Sequence, residues 1–231
     1  MAVNIDTVYQ KVLALANKEQ RGYITPQEFN LFANQAQMDI FEQYFYDLNQ
    51  YSRVPGNSME YSDMVKILEE KVGVFKTMDA LTYVSNYFTL PNTLYRLGTV
   101  KYSLNDEDRV IEEIDEKELV HMLGSKIIKP TATRPVYTKR LNNIHVYPTD
   151  IDSDVSCSYI KRPNKAIWGY SVIGENALYN SNTSVDFELH DSEETDLVIK
   201  ILALAAVELQ APALYQIATQ EDAKNITQEK S

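Results

Sequence analysis

One cysteine, seven glycines and three histidines are all that 231 residues supply of the types on which most small catalytic and cofactor sites are built. With Cys157 alone no internal disulfide can form, and nothing points to an oxidising compartment. Few glycines leave little material for phosphate cradles. Gly169 and Gly174 have the spacing of a P-loop, but Glu175 and Asn176 follow where lysine and a hydroxyl residue are required. A carboxylate there repels phosphate, so the motif fails, and no dinucleotide fingerprint occurs either. Gly169, Ser171 and Ile173 fall one residue short of a nucleophile elbow, whose fifth position must be glycine for strand and helix to pack closely. His121, His145 and His190 lie too far apart for a metal-ligand spacing.

Basic residues are also short. Twenty-two Lys and Arg face 33 Asp and Glu, a net charge of −11. A general nucleic-acid binder draws its affinity from cations placed on phosphates, so this balance argues against one. It suits a surface past which DNA moves without sticking. Long hydrophobic runs are missing too. The most apolar stretch, Leu197 to Leu214, is broken by Lys200, Glu208 and Pro212 and reads as a core helix, with no membrane partner expected. The first residues lack a basic segment followed by an apolar one, so no signal peptide is expected.

Acidic residues are present in quantity, and two clusters invite a site. Asp150, Asp152 and Asp154 match the first ligands of a calcium loop, but Val155 stands at the glycine position and Lys161 at the closing glutamate. The tip of a hairpin joining strands 144–147 and 155–161 accounts for them better. Glu112, Glu113, Asp115, Glu116 and Glu118 could hide a carboxylate pair, but they read as a solvated helix start favoured by the helix dipole. No catalytic, cofactor or metal site is expected.

Tyrosine is the outlier, with sixteen against seven Phe and one Trp. Such rings pack while their hydroxyls stay wet, which suits interfaces and strands alike. The first third of the chain is helical. Asp6 is expected to cap a helix with Val8, Val12, Leu13 and Ala16 on one face. Thr25, Pro26 and Glu28 form a capping box that opens a helix reaching about Tyr51, roughly 39 Å if unbroken. Arg53 to Asn57 breaks it, and a shorter helix covers Tyr61 to Lys71.

Short segments rich in Tyr and Val follow: 83–90, 94–102, 136–141, 144–147, 155–161, 168–173 and 185–189. A capping box at Asp115 and Glu118 inserts one helix ending at Gly124, and another at Asp191 and Glu194 opens the last helix, which Pro212 ends or kinks. Beyond Gln220 the polar residues carry no pattern and are expected to be mobile until bound. The fold expected is α+β: a helical bundle built from both chain ends, with a central antiparallel β-sandwich or barrel-like region. The regions are a helical 1–78, a β-rich 79–191, and 192–231 packing with the N-terminal helices.

The order of features resembles a known family. Tyr87 to Val100, with Leu90-Pro91 followed by Tyr95-Arg96, is similar to a segment of tail tubular protein A and related head-to-tail adaptors of tailed phages. Arg134 to Tyr137, Ile144 to Pro148, Val155 to Pro163 and the acidic entry into the helix at Glu193 to Leu209 continue the likeness in order. Asn4 to Tyr9 and Ala14 to Phe29 resemble ring proteins of environmental and crAss-like phages. The resemblance implies a virion protein assembled in the host cytoplasm, without catalysis: a homo-oligomeric ring of about twelve copies joining portal to tail and lining the DNA channel. Its partners would be the portal protein and neighbouring rings, with DNA passing unbound. The resemblance implies that the C-terminal residues, Glu229, Lys230 and Ser231, dock on the portal. Asp150, Asp152 and Asp154 are the candidate tip facing the channel or the next ring. Other readings stay open: another collar, tail-tube or baseplate piece, a glycan-binding module using exposed tyrosines, or a small hydrolase using Glu113, Asp115 or Ser171.

Overall fold

The computed structural model describes residues 2–17, 24–53, 59–104, 107–174, 176–208 and 212–229. Lys18 to Tyr23, the helix break at 54–58, Glu175, Leu209, Lys230 and Ser231 lie outside the described residues. The chain is α+β: the described residues form six helices and an eight-stranded, mixed, barrel-like sheet. It divides into a helical unit, Met1–Val74 with Pro163–Ser231, and a β unit, Phe75–Arg162. The β-rich region read over 79–191 therefore splits: its last part, from Pro163, folds with the helices.

The first elements are β1 (Ala2–Val3), α1 (Ile5–Asn17), α2 (Pro26–Arg53) and α3 (Met59–Gly73). The cap of α1 is Asn4, not Asp6: the Asn4 Oδ1 accepts the Thr7 N–H at 3.0 Å. Asp6 lies already inside the helix and accepts the indole N–H of Trp168 at 2.9 Å. At α2 the capping box closes as read. Glu28 N–H donates to Thr25 Oγ1 at 3.3 Å, and Thr25 N–H donates to Glu28 Oε2 at 2.8 Å.

The β unit holds β2 (Lys76–Ala80), β3 (Thr82–Val84), β4 (Tyr87–Thr89), β5 (Leu94–Leu104), β6 (Glu107–Glu113), α4 (Glu116–Gly124), β7 (Val136–Arg140), β8 (Asn143–Tyr147) and β9 (Val155–Lys161). Hydrogen-bonded order is β2-β9-β5-β6-β7-β8-β4-β3. The two end strands are thus consecutive in the chain, parted by Leu81 alone. They act as halves of one bent strand, which curls the sheet toward closure. Inward residues of alternate positions, among them Phe88, Val100, Ile111, Ile144, Val155 and Cys157, fill the interior.

Four sequence expectations change here. Residues 83–90 are two strands, because Ser85 and Asn86 take positive φ of 49° and 72° and turn the chain back on itself. The sheet is not wholly antiparallel: β6 and β7 run parallel, since the chain between them crosses over through α4. Glu112 and Glu113 lie on β6, a strand not foreseen, rather than at a helix start. The helix that does follow, α4, has Asp115 at its N-cap without a side-chain cap bond, so that capping box does not form.

The chain returns to the helical unit through β10 (Tyr170–Ile173), β11 (Asn176–Tyr179), β12 (Phe187–His190), α5 (Glu194–Glu208) and α6 (Pro212–Glu229). A one-turn 3₁₀ helix, Asp191–Glu193, precedes α5, and its cap is His190, whose Nδ1 accepts the Ser192 N–H. The box expected at Asp191 and Glu194 gives way to it. The helix entered at Glu194 runs to Glu208, and Pro212 is the first residue of α6, as its fixed φ and missing N–H permit in a first turn. Beyond Gln220, where the sequence carries no pattern, the chain is helical as far as Glu229. Asn225 Nδ2 donates to Asp196 Oδ1 at 2.7 Å, Lys200 pairs with Asp222 at 3.1 Å, and Ala218 is buried, which together hold α6 on α5. Among the described residues no helix is long and apolar enough to cross a membrane.

Candidate functional site

The residues singled out from sequence are not drawn together. Tyr147-Pro148 is a cis peptide, and the segment it begins carries Asp150, Asp152 and Asp154, all exposed, around a buried Ile151. β8 and β9 are not neighbours in the sheet, so this segment is a crossover and not the hairpin tip that the spacing suggested. Its far end is anchored by the Ser103 N–H donating to Asp154 O at 3.1 Å, with Asp154 at a φ of 58° that aspartate tolerates. Buried Ile151 and this anchor hold the aspartates outward as a fixed, charged surface. Among the described residues no group of three His, Cys, Asp or Glu side chains is placed to hold a metal ion.

The acidic run is divided by its own structure. Glu113 Oε2 accepts the Tyr137 hydroxyl at 3.0 Å, and Glu116 pairs with Arg140. Burial, and then the bond to Glu113, raise the Tyr137 hydroxyl, so it stays a donor across the working pH range. Ser171 is exposed on β10 and accepts from Asn180 Nδ2 at 3.2 Å. Glu113 and Ser171 belong to different units. His121 sits exposed on α4, while His145 lies beside the Tyr87 ring at 5.8 Å. Glu229 ends α6.

Sequence reading missed a polar chain on the wall of the β unit. Asp79 on β2 pairs in register with Cys157 on β9, and Asp79 Oδ2 accepts the Tyr159 hydroxyl at 2.6 Å. That hydroxyl also meets Thr93 Oγ1 at 3.2 Å. Asp79, Thr82, Thr89 and Asn92 open beside it onto a shallow hollow. Burial and then Asp79 push the Cys157 thiol up to about 11, which removes it as a nucleophile. A soluble thiol reagent near pH 8 is expected to leave native Cys157 unmodified and to react once the chain unfolds. Rapid labelling of the folded protein would refute that closed interior.

A second missed arrangement lies in the helical unit. Asn30, Asn34 and Gln37 on α2 grip an extended segment through backbone bonds. Asn30 donates to Trp168 O at 3.3 Å and accepts the Trp168 N–H at 2.7 Å. Asn34 does the same for Ala166, at 2.8 and 3.0 Å. Gln37 donates to Asn164 O at 2.8 Å and accepts the Glu188 N–H at 3.1 Å. Four helical residues climb about 6 Å and two extended ones about 6.6 Å, so amides at i and i+4 meet alternate strand residues. Gly169 belongs to this seat and not to a phosphate loop: a Cβ there would stand 2.6 Å from the backbone carbon of Thr183. The signal in the sequence was three amides at helical spacing along a helix otherwise apolar on that side.

No protein-family model and no curated protein matches the chain.

Proposed function

We propose that this chain is a structural component of a phage virion, one copy of an adaptor ring joining the portal to the tail and surrounding the channel through which DNA passes. The observation that carries the reading is where the family-like segments fall. Tyr87 to Val100, Arg134 to Tyr137, Ile144 to Pro148 and Val155 to Pro163 supply β4, β5, β7, β8 and β9, so the ordered likeness coincides with a single folding unit. Glu193 to Leu209 supplies α5, the helix that α1 and α2 pack on.

Charge supports the same reading. A net −11 repels a passing phosphate backbone, and the outward aspartates of 150, 152 and 154 give that charge a fixed surface on the lumen or the next ring. Heterologous contacts, one face of each copy on another face of its neighbour, are what a ring of about twelve requires. In this reading the chain acts without catalysis, in the phage neck, and its C-terminal end meets the portal. Negative-stain imaging of the protein, alone and with portal and tail partners, tests it. The expected result is a closed ring with a central hole. A strict monomer that binds neither portal nor tail rings would overturn it.

A further inference from the structure

Each unit carries an exposed apolar surface, and the two differ in form. In the helical unit β10 and β11 make a two-stranded hairpin turned at Gly174, with φ of +66°. Its base is held, Tyr170 stacking on Trp168 at 5.9 Å. Its far part is not: Val172 and Ile173 are each 66% exposed, and Leu178 is exposed as well. Register puts Val172 opposite Ala177 on one face and Ile173 opposite Asn176 on the other, so both faces are apolar and wet. An isolated hairpin of two strands is marginal in water, and contiguous exposed apolar surface marks an interaction site.

In the β unit the complementary form is a groove. β6 bonds to β5 from Glu107 to Ile111, but to β7 only at Glu112 and Glu113. Alternate residues of the earlier stretch therefore turn their backbone N–H and C=O away from β5, toward a cavity of about 210 Å³. Its walls include Val110, Met122, Ile127 and Ile128, and Ile127 is 93% exposed. Lys129 and Arg134 also line it, outnumbering the one carboxylate, Glu112. Neither cation takes part in an ion pair among the described residues. That is a basic, apolar groove with an open strand edge in a chain of net charge −11.

We infer that these surfaces are two halves of one contact between copies: the β10–β11 hairpin of one copy lies in the groove beside β6 of the next. An edge of the hairpin continues the β6 ladder, Val172, Ile173 and Leu178 cover Val110, Ile127 and Ile128, and Lys129 and Arg134 favour a partner drawn from a chain of net charge −11. Strand addition of this kind draws affinity from backbone bonds and specificity from side-chain pockets. Because hairpin and groove are unlike, the contact is head-to-tail and propagates from copy to copy. The inference rests on the proposal that copies assemble, and it assigns the residues through which they do so.

Sedimentation of full-length variants tests it. Val172→Asp with Ile173→Asp disables the hairpin, and Ile127→Asp with Ile128→Asp disables the groove. All four positions are exposed, so both variants should fold, as circular dichroism would verify. Wild type is expected to form concentration-dependent multimers, and each variant to self-associate at least about 100-fold more weakly. Mixed one to one, the variants should form a heterodimer and stop, each offering the surface the other lacks. A monomeric wild type, variants that assemble normally, a wild type that stops at a dimer, or a mixture that stays monomeric would each overturn the inference. The adaptor reading is judged apart from it: rings seen on portal with the variants would sink the contact alone, and pairing variants with no ring on portal would sink the adaptor alone.

Discussion

Replacing Asn34 by leucine is expected to lower the stability of the helical unit by about 3–5 kcal/mol, a large fraction of the roughly 5–15 kcal/mol that holds a domain folded. Ala166 is fully buried, and Asn34 satisfies both its N–H and its C=O. Leucine satisfies neither. Each orphaned buried group costs about 1–3 kcal/mol, and the apolar side chain has no compensating pocket along a polar backbone. Asn34→Asp separates the two bonds. The carboxylate still accepts from Ala166 N–H but repels its C=O, so the variant should fall between wild type and leucine only where acid protonates it. Gln35→Ala is the control, since Gln35 meets Asp39 on the exposed side of α2, and a change under about 0.5 kcal/mol is expected there. Urea unfolding monitored by Trp168 fluorescence reads all three. Equal midpoints for Asn34→Leu and Gln35→Ala would show that the amide grip contributes nothing.

How far the sequence foretells this molecule depends on whether the signal is local. The box at Thr25 and Glu28 is three residues long, and it forms as the pattern demands. Val155, Cys157 and Tyr159 alternate and lie buried on one face of β9. Signals that other residues can satisfy go astray. Asp6 and Asn4 both suit a cap, and the choice falls to Asn4 because Trp168, far along the chain, takes the Asp6 carboxylate. The turn at Ser85 and Asn86 contains no glycine, so a hairpin reads as one strand. The spacing of Asp150 to Asp154 suits a hairpin because consecutive strands usually pair, yet β5, β6 and β7 come between β8 and β9 in the sheet.

The same division governs the candidate surfaces. The absence of motif chemistry was legible, since each near-match fails at one residue. The groove beside β6 was not. It exists because β6 and β7 part after two paired residues, and pairing length is a product of the whole sheet. The hairpin was half legible. Ser171, Val172 and Ile173 read as a strand, but their exposure is a product of tertiary packing that no local pattern carries.

Lys71→Met is expected to cost about 3–5 kcal/mol, the figure for stranding a buried charge. Lys71, in the last turn of α3, has its ammonium 2.6 Å from Glu193 Oε1, and both side chains are largely removed from water, 14% and 5% exposed. The same ammonium lies 5.7 Å over the Tyr44 ring, an added attraction that methionine does not replace. Ser192 Oγ donates to Glu193 at 3.2 Å, which eases the carboxylate but cannot neutralise it. Glu193→Leu should be comparably costly from the other side, leaving a desolvated ammonium. The double variant decides what the pair does. Replacing both charges by apolar groups of similar volume removes the desolvation penalty along with the attraction, and such swaps are often neutral or stabilising. The double variant is therefore expected to recover most of either single loss, so that its cost falls far below the sum of the two single costs in a thermodynamic cycle. Additive losses would mean that the two side chains act independently, and that α3 is held to the turn before α5 by its apolar face alone.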